Sequence, residues 1–309
     1  MPSSATDATV RCLLCSGSGS REVHRGARHA PDSVVRACVE CGLVFLWPRP
    51  DDAELAAYYA GEYRAEYDGA VSPEATYRKA TAEARQRAAR VRPVLGAGAR
   101  VLEVGAGSGA FLDAIRGDAA TVLGVEPGTA HRAWARETLG IDMVGSVDEL
   151  GARRFDVVGL FHTLEHVPDP VRFLARLAGH LAPGGTLAIE VPNVEDALIA
   201  PYGIAAFARS YYQRAHLYYF STATLAATVK SAGGEVKIRG IQRYDLSNHL
   251  RWMLTGEGGG QGYYRSMLGD EAHEAYAQAL VGSGRADTLW GLARFPEVVP
   301  DRTGQGVPA

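Results

Sequence analysis

The sequence predicts an α/β protein built on an open, mostly parallel sheet with helices on both faces. Four short apolar runs carry this prediction, and each is bounded by turn residues: 101–104, 121–125, 155–161 and 186–191. Segments with helical periodicity separate them, among them 130–139 and a helix that opens at Asp169-Pro170 and runs through Leu181. Strands and helices that alternate in this way form βαβ units with right-handed crossovers.

The chain before and after this region predicts further elements. A strand-like run at 42–46 is stopped by Pro48 and Pro50, and a long helix rich in Ala and Arg covers 74–92. The basic residues of that helix favour a solvated face over an anion site. The C-terminal third predicts helices at 222–231 and 270–281, strands at 235–242 and 288–294, a glycine-rich loop at 256–262 and a loose tail at 299–309.

Composition limits the classes of partner. The 309 residues include 32 basic and 35 acidic side chains, so no global field favours nucleic acid or an anionic membrane. No apolar stretch is long enough to span a membrane, and residues 1–9 lack the form of a signal peptide, so we expect a cytoplasmic protein.

No pattern predicts an oligomeric state. We divide the chain into a module at 1–60, a core at 61–245 and a C-terminal substrate or cap segment with the last strand at 246–309.

The four cysteines form two pairs, Cys12-Leu-Leu-Cys15 and Cys38-Val-Glu-Cys41, with 22 residues between them. Two such knuckles supply four thiolates, which complete a closed tetrahedral shell, so the pattern predicts a structural Zn²⁺ rather than a catalytic one. The alternative is four unliganded thiols. His24 and His29 lie between the pairs, but four thiolates already fill the shell.

Tyrosines recur after this module at roughly helical spacing, at Tyr58, Tyr59, Tyr63 and Tyr67. Packing is the more common use of such residues, and a lid over a ligand is the alternative.

The glycine-rich stretch after the first strand of the core, Val101-Leu-Glu-Val-Gly-Ala-Gly-Ser-Gly109, predicts a strand, a tight turn and the start of a helix. Glycines let the backbone approach a ligand that any Cβ would displace, so this is a nucleotide-type cradle. The segment from Gly105 through Ala110 also satisfies the GxGxxA dinucleotide pattern, with Glu126 near the position of a ribose-binding acid. Glu103 lies inside the strand just ahead of the turn, and Gly109 makes the turn GxGxG. These two features favour a nucleotide ligand other than a dinucleotide.

A series of motifs in this region resembles that of class I S-adenosylmethionine-dependent methyltransferases. The series comprises the glycine stretch, Gly124-Val-Glu-Pro127, Phe155-Asp-Val-Val158, Leu164-Glu-His-Val-Pro-Asp-Pro170, Leu181-Ala-Pro-Gly-Gly185 and Glu190-Val-Pro-Asn193. The paired CxxC motifs and His216-Leu-Tyr-Tyr-Phe-Ser221 further resemble a zinc-ribbon-bearing subgroup that includes deoxysugar C-methyltransferases. The resemblance implies a Rossmann-like, seven-stranded sheet and an S-adenosylmethionine cofactor.

The resemblance also implies the cofactor site. Gly105, Gly107 and Gly109 would form the turn at the methionine end, Glu126 would bind both ribose hydroxyls, and Ser146 and Val147 would lie beside adenine. A carboxylate suits two adjacent hydroxyl donors because it accepts several hydrogen bonds at once. The complete set of residues expected to bind the cofactor is Glu103, Gly105, Ala106, Gly107, Ser108, Gly109, Phe111, Glu126, Pro127, Ser146, Val147, Phe161, His162 and His166.

Three residues are candidates for handling the methyl acceptor and its proton: His216, His162 and Tyr212. His216 aligns with a histidine that resembles the base of the deoxysugar enzymes, although Gln213 and Ala215 replace the tyrosine and acid that accompany it there. A structural role for His216 is the alternative. His162 follows a core strand, where open α/β sheets bind their ligands.

We therefore expect an enzyme that methylates C, O or N of a small molecule, such as a sugar or natural-product metabolite. An RNA or protein methyltransferase that docks through the zinc module is the alternative within enzymes, and no basic patch interleaved with aromatic residues favours it. A non-enzymatic module that binds S-adenosyl ligands is the alternative from another class. A nicotinamide-dependent oxidoreductase is a more distant possibility.

Overall fold

A computed structural model describes residues 11–50, 54–55, 58 and 72–296. Tyr58 is buried, with the guanidinium of Arg214 centred 4.4 Å from its ring. The predictions for Tyr59, Tyr63 and Tyr67 and for the tail at 299–309 lie outside the described residues.

The described part of the chain contains the predicted α/β sheet, which has seven strands in the order β10-β11-β8-β7-β4-β5-β6. Strand β11 is antiparallel to both neighbours, and the other pairs are parallel. The strands are β4 (Arg100–Val104), β5 (Thr121–Val125), β6 (Met143–Val144), β7 (Phe155–Phe161), β8 (Leu181–Pro192), β10 (Glu235–Ile241) and β11 (Thr288–Arg294). This confirms the Rossmann-like fold class.

Helices cover the sheet and continue into the C-terminal segment. They are α1 (Pro73–Val91), α2 (Ala110–Ile115), α3 (Thr129–Trp134), α4 (Pro170–Ala178), α5 (Ala205–Tyr211), α6 (Thr222–Ser231), α7 (Leu246–Thr255), α8 (Arg265–Leu268) and α9 (Asp270–Gly282). Ser72, Asp169 and Ser221 cap α1, α4 and α6 by accepting backbone N–H groups, which explains why these helices begin where they do. None of the described helices is long and apolar enough to cross a membrane.

The predicted boundary between α4 and β8 is wrong. The helix ends at Ala178, and β8 begins at Leu181, where the sequence predicts the last helical residue. Pro183-Gly184-Gly185 lies inside the strand and not in a turn before it. The extra residues form a bulge, because the register passes from Phe155↔Leu181 to Val157↔Thr186, and Gly184 takes a φ of +73° there.

A second sheet contains the N-terminal module. It has the order β1-β2-β3-β9, formed by β1 (Ser20–Ala27), β2 (Ala30–Cys38), β3 (Val44–Trp47) and β9 (Tyr218–Tyr219). Strand β9 comes from the chain segment that follows His216, so the module and that segment share one sheet. A further backbone bond joins Leu46 N–H to Leu217 O at 3.0 Å.

The order of the strands places a topological switch between β4 and β7. From β4 the chain proceeds outwards through β5 to β6, whereas β7 and β8 lie on the other side. Ligands in open α/β sheets bind outside the carboxyl ends of strands at such a point. The glycine turn follows β4, and His162 follows β7, so the predicted site residues lie at this switch.

Candidate active site

The glycine turn is held tightly against the end of β5. The N–H groups of Gly105 and Ala106 both donate to Val125 O, at 2.8 and 3.0 Å. Gly105 and Gly107 have φ values of +79° and +53°, which side chains rarely adopt. A Cβ on Gly105 would overlap Oγ1 of Thr163, whereas a Cβ on Gly107 would meet no atom of the described residues within 4 Å. The described part of the chain therefore leaves open space at Gly107.

Glu126 lies at the carboxyl end of β5 and is 5% exposed. Its Oε2 accepts the N–H of Gly107 and its Oε1 accepts the N–H of Gly128, both at 2.9 Å. These bonds fix the carboxylate between the glycine turn and the start of α3. A carboxylate accepts several hydrogen bonds at once, so this is a group of the type that binds ligand hydroxyls.

Glu103 is a buried acid inside β4, just ahead of the turn. Its Oε2 has no hydrogen-bond partner among the described residues. Burial raises the pKa of Glu103 to about 8, against a smaller lowering by Arg87 and with a further raising by Glu126. A nearby cationic group favours the carboxylate form of a buried acid, so Glu103 is suited to bind a cationic group of a ligand in the cradle.

The other residues expected at the cofactor lie around this edge in different environments. Phe111 and Phe161 are buried in edge-to-face contact at 4.8 Å and belong to the same core cluster as Ala106 of the turn. Ser108 donates to Pro73 O and lies 2.7 Å from Nδ1 of His131. Pro127 follows Glu126 and offers its carbonyl to Arg132. Ser146 precedes a short 3₁₀ turn, which starts at the buried Val147.

His162 lies directly after β7 with a φ of +51°, a conformation that is uncommon for residues other than glycine. Its backbone N–H donates to Glu190 O, and the neighbouring Thr163 Oγ1 donates to Val104 O at the end of β4. These bonds hold the backbone at 162–163 beside the end of β4, where the glycine turn begins.

An ionic network surrounds the His162 ring. Nδ1 lies 3.2 Å from Oε1 of Glu165, and Nε2 lies 3.1 Å from Oε1 of Glu190 and 2.8 Å from Nη1 of Arg243. Burial and Arg243 lower the pKa of His162, but hydrogen bonds to the two glutamates outweigh them and raise it. A protonated Nε2 donates to Glu190, whereas a deprotonated Nε2 accepts from Arg243, so the two contacts belong to different charge states.

The two partners of His162 Nε2, Glu190 and Arg243, are themselves held by other side chains. Arg87 donates to Glu190 at 2.7 Å, and Arg243 bonds Asp287 through Nε at 3.2 Å. Against the cost of burial, hydrogen bonds from His162 and the positive charge of Arg87 hold the pKa of Glu190 well below its ordinary value. Against the same cost of burial, the hydrogen bond to His162 and the charge of that ring lower the pKa of Glu165 to about 2, so both glutamates around His162 are carboxylates at neutral pH.

A cavity of about 540 Å³ opens beside His162. Its aromatic lining comes from α5, from α7 and from Tyr244 just before α7, and its polar lining includes His162 at the switch point. The lining residues are Arg28, Lys79, His162, His166, Pro192, Asp196, Phe207, Ser210, Tyr211, Gln213, His216, Arg243, Tyr244, Asn248, Trp252, Gly258, Gly259 and Asp287. A second cavity of about 560 Å³ lies around Arg100 and Thr121, at the amino ends of the strands, where this class of sheet does not bind its ligands.

His216 and His166 form one wall of the cavity. Their rings meet edge to face, with centroids 4.8 Å apart. His216 is 8% exposed, and burial with help from His166 lowers its pKa to about 3. Burial likewise lowers the pKa of His166, whose Nδ1 lies 2.9 Å from Ala215 O. Both rings are neutral at neutral pH.

Tyr212 lies away from this wall. Its ring packs against His24 at 5.0 Å and against Tyr219 at 5.0 Å, within the aromatic cluster beneath the N-terminal sheet. Burial raises the pKa of Tyr212 to about 12, so it is a neutral phenol. It is not among the residues that line the cavity, whereas its neighbour Tyr211 is.

The four cysteines come together as their spacing predicts. Their sulfur atoms all lie within 4.8 Å of one another, with Sγ of Cys12 and Cys41, and of Cys15 and Cys38, 3.5 Å apart. These separations are far longer than an S–S bond of about 2.0 Å, so the thiols are free. A tetrahedral ion with Zn–S bonds of about 2.3 Å needs sulfurs about 3.8 Å apart, and the cluster is of that size.

Several residues of the site have no role that was predicted from the sequence. Glu190 carries a usable signal, because it is a charged residue inside an apolar strand. Arg243 carries no such signal, because it contacts His162 across a separation of 81 residues in the sequence. The sequence carries no signal that brings Trp252, Phe207 and Tyr211 together, and only the packing of α5 against α7 places them at one cavity.

The strand order, the glycine turn at the switch point and the buried acids on either side of it define a nucleotide-binding α/β protein. The family described as Methyltransferase domain matches residues 75–237, which is more than half of the chain. The chain belongs to this family and is a class I S-adenosylmethionine-dependent methyltransferase, as the motif series predicts.

Relatives and solved structures are consistent with this assignment. The ubiquinone biosynthesis O-methyltransferases of Xanthomonas axonopodis pv. citri and Thiobacillus denitrificans are 34% identical over 176 residues and 30% identical over 154 residues. These matches cover 52% and 46% of this chain and 69% and 66% of the relatives, about two thirds of their length. The 1,6-didemethyltoxoflavin-N1-methyltransferase of Burkholderia thailandensis, solved with S-adenosylhomocysteine, shares the fold with a TM-score of 0.52 at 19% identity, over 84% of this chain and 98% of that one.

Proposed function

We propose that this protein transfers the methyl group of S-adenosylmethionine to a hydroxyl oxygen of a small ring compound held in the cavity beside His162. The position of His162 carries the proposal. Its backbone is tied to the glycine turn through Thr163 and Val104, and its side chain lines the cavity. A donor bound at the turn and an acceptor in the cavity would therefore meet at this residue, and such positioning supplies much of the rate in methyl transfer.

The residues at the switch point fit the cofactor. Open space at Gly107 suits the close approach of a ligand, and the Glu126 carboxylate is positioned to accept the two ribose hydroxyls. The unpartnered Oε2 of Glu103 fits the cationic methionine end, whose ammonium and sulfonium groups would favour the carboxylate form of this acid. When bound, the cofactor supplies an activated methyl group, and the chain has to align the acceptor with it.

The walls of the cavity favour a ring compound with polar substituents. Phe207, Tyr211 and Trp252 offer aromatic faces, while Arg243 and Gln213 offer hydrogen-bonding groups. Sugars and other natural-product scaffolds belong to this class. The ubiquinone biosynthesis relatives are named as O-methyltransferases, which supports oxygen as the acceptor atom. His216 and His162 remain the candidates for receiving the acceptor's proton.

We also propose that the four cysteines hold a structural Zn²⁺. The donor set is four thiolates in a cluster of tetrahedral size, which leaves no open position for a substrate. The ion would stabilise a module that supports the cavity wall, because β9 and Leu217 are bonded to β3. The cluster is thus suited to scaffolding and not to catalysis.

Two measurements on the purified protein test the proposed function. Isothermal titration calorimetry should detect S-adenosylhomocysteine binding in the micromolar range, and incubation with S-adenosylmethionine and a panel of phenols, catechols and sugars should release S-adenosylhomocysteine with an O-methylated product. Binding of a nicotinamide cofactor in place of S-adenosylhomocysteine would contradict the proposal. Methyl incorporation into RNA or protein alone would favour the macromolecular alternative, and ligand binding without any transfer would favour a non-enzymatic module.

A further inference from the structure

A carboxylate and two imidazoles converge at the wall of the cavity, apart from the cysteine cluster. They belong to Glu165, His166 and His216, and one ligand atom from each lies within 4.8 Å of the others. Glu165 and His166 come from the turn after β7, and His216 comes from the segment before β9. The bond between Leu217 N–H and Glu165 O, at 2.8 Å, holds these two segments together.

Two of the three side chains present buried polar atoms that no described group satisfies. Glu165 is 0% exposed and its Oε2 lacks a hydrogen-bond partner, and the same is true of Nδ1 of His216, which is 8% exposed. Buried polar atoms in folded proteins are almost always satisfied, and exceptions call for an explanation such as an ion or a ligand. Here two such atoms belong to neighbouring side chains of metal-ligating type.

The remaining atoms of the cluster have partners of the kind that orient metal ligands. Oε1 of Glu165 contacts Nδ1 of His162 at 3.2 Å. Nδ1 of His166 faces Ala215 O at 2.9 Å, and since a carbonyl only accepts, Nδ1 carries the proton and Nε2 carries the lone pair. Nε2 of His216 lies 2.6 Å from the position assigned to Nε2 of the Gln213 amide. With the amide flipped, its oxygen accepts the ring proton at Nε2 and the lone pair stays on Nδ1. Histidine ligands usually donate their second N–H in this way.

We propose that Glu165, His166 and His216 bind a divalent first-row transition metal ion at the wall of the acceptor cavity. Two imidazoles and one carboxylate fill only part of the shell of such an ion, and they leave positions open towards the cavity. His166 and His216 line that cavity, so an oxygen of the acceptor can take an open position. The acceptor part of this inference rests on the proposed function, whereas the metal site itself does not.

The site gives the hydroxyl acceptor a route to its nucleophilic form. Coordination lowers the pKa of a bound hydroxyl, so its O–H bond breaks and the proton passes to water in the cavity. The oxygen then forms the O–CH₃ bond as the S–CH₃ bond of the cofactor breaks, and S-adenosylhomocysteine leaves. In this role His216 is a metal ligand and not the base that takes the proton.

Metal content after equilibrium dialysis tests the site. The wild type, Glu165→Gln, His216→Ala and the control His180→Gln are dialysed against excess Co²⁺, and total bound metal per chain is measured by elemental analysis. His180 lies after α4, where its Nδ1 contacts Arg153 O. We expect the wild type and H180Q to hold one ion more than E165Q and H216A. The cysteine cluster contributes equally to all four proteins, so the difference counts only the proposed site.

S-Adenosylhomocysteine binding by the same preparations shows that each variant is folded and separates the two proposals. Loss of one ion with cofactor affinity retained supports the metal site. Equal metal content in the wild type, E165Q and H216A would overturn it, even if all of them bind S-adenosylhomocysteine and methyl transfer occurs. A metal difference without any S-adenosylhomocysteine binding would instead overturn the proposed function and leave the metal site standing.

Discussion

The carboxylate of Glu126 accepts the backbone N–H of Gly107 at 2.9 Å, so the acid after β5 determines the shape of the turn after β4. The second oxygen holds Gly128 at the start of α3 in the same way. One side chain therefore joins the two loops between which the cofactor is proposed to bind. A change at Glu126 should affect both the ligand contact and the cradle.

Glu126→Gln should weaken S-adenosylhomocysteine binding by about 10- to 100-fold. The Gln amide has the shape of the Glu carboxylate but lacks its charge. Its NH₂ group also faces one of the two backbone N–H groups that the carboxylate accepts. A hydrogen bond to a charged group contributes about 1.5–3 kcal/mol, which sets the size of the expected loss. Calorimetry measures the effect. Asp156→Asn is the control, because Asp156 also accepts a backbone N–H, from Arg100 at 2.8 Å, but at the opposite end of the strands. Equal affinity in both variants would contradict the assignment.

Gly107→Ala should weaken cofactor binding while the fold persists. Gly107 and Gly98 both have positive φ, and at neither would a Cβ meet a described atom within 4 Å, so alanine costs a similar strain of about 1–2 kcal/mol at either position. Only the Cβ at position 107 would enter the cradle, where overpacking of about 1–3 kcal/mol lowers affinity by about 5- to 150-fold. Thermal melts should therefore be alike for the two variants, and S-adenosylhomocysteine titrations should differ.

Binding of S-adenosylhomocysteine should strengthen between pH 6 and pH 7.5. The pKa of Glu103 is raised to about 8, so the ligand-free protein carries a proton there, and the ammonium group of the ligand must displace it in order to pair with the carboxylate. Each pH unit below that pKa then costs up to about tenfold in affinity. Titrations in buffers of different ionisation enthalpy should show proton release, and Glu103→Gln should abolish both the release and the slope.

Stability gives an independent check on Glu103. Its carboxyl keeps its proton up to about pH 8 in the folded chain but loses it near its ordinary value of 4.5 in the unfolded chain. The folded state therefore binds more protons, and the free energy of unfolding falls as pH rises between these values. Glu103→Gln should melt above the wild type at pH 8 and close to it at pH 4.5. A pH-independent difference would show that Glu103 acts in some other way.

Cys38→Ser should remove one zinc ion per chain and lower Tm by about 5 °C or more, which corresponds to about 2 kcal/mol. The loss should raise the KM of the acceptor more than the Kd of S-adenosylhomocysteine, because the module bonds the cavity segment through Leu46–Leu217 and Arg28–Tyr212. Glu40→Gln is the control, since Glu40 lies 3.8 Å from Sγ of Cys15 but is not a thiolate ligand. Full zinc content in Cys38→Ser would contradict a four-thiolate site.

Trp252→Ala should raise the KM of the acceptor by about 30-fold, as truncation of a central aromatic contact costs about 2 kcal/mol or more. Trp252 lines the cavity in edge-to-face contact with Phe207, with ring centroids 5.2 Å apart. Met253→Ala, at a neighbouring position that is 39% exposed, should leave KM unchanged. Steady-state kinetics with a saturating cofactor separates the two. Similar KM values would place the acceptor elsewhere.

Local sequence patterns were sufficient to predict the limits of most strands in the core sheet. Strands β4, β5, β7, β10 and β11 lie within a residue of their predicted limits, because each is a short run whose ends are marked by glycine, proline or charged residues. The start of β8 was missed, since Pro183-Gly184-Gly185 reads locally as a turn and only pairing with β7 makes it a bulge. The two-residue strand β9 has no periodicity to detect and exists through its pairing with β3.

The sequence by itself determined the fold class, the glycine cradle and its neighbouring acids, and the meeting of the four cysteines. These features depend on residue types at short spacing, which fix backbone conformation and ligand chemistry locally. Only the tertiary structure decided that Arg243 reaches His162, that Tyr211 and not Tyr212 lines the cavity, and that His216 lies beside Glu165 and His166. These contacts join segments that are far apart in the chain, and their geometry results from how the two sheets and the C-terminal helices pack together.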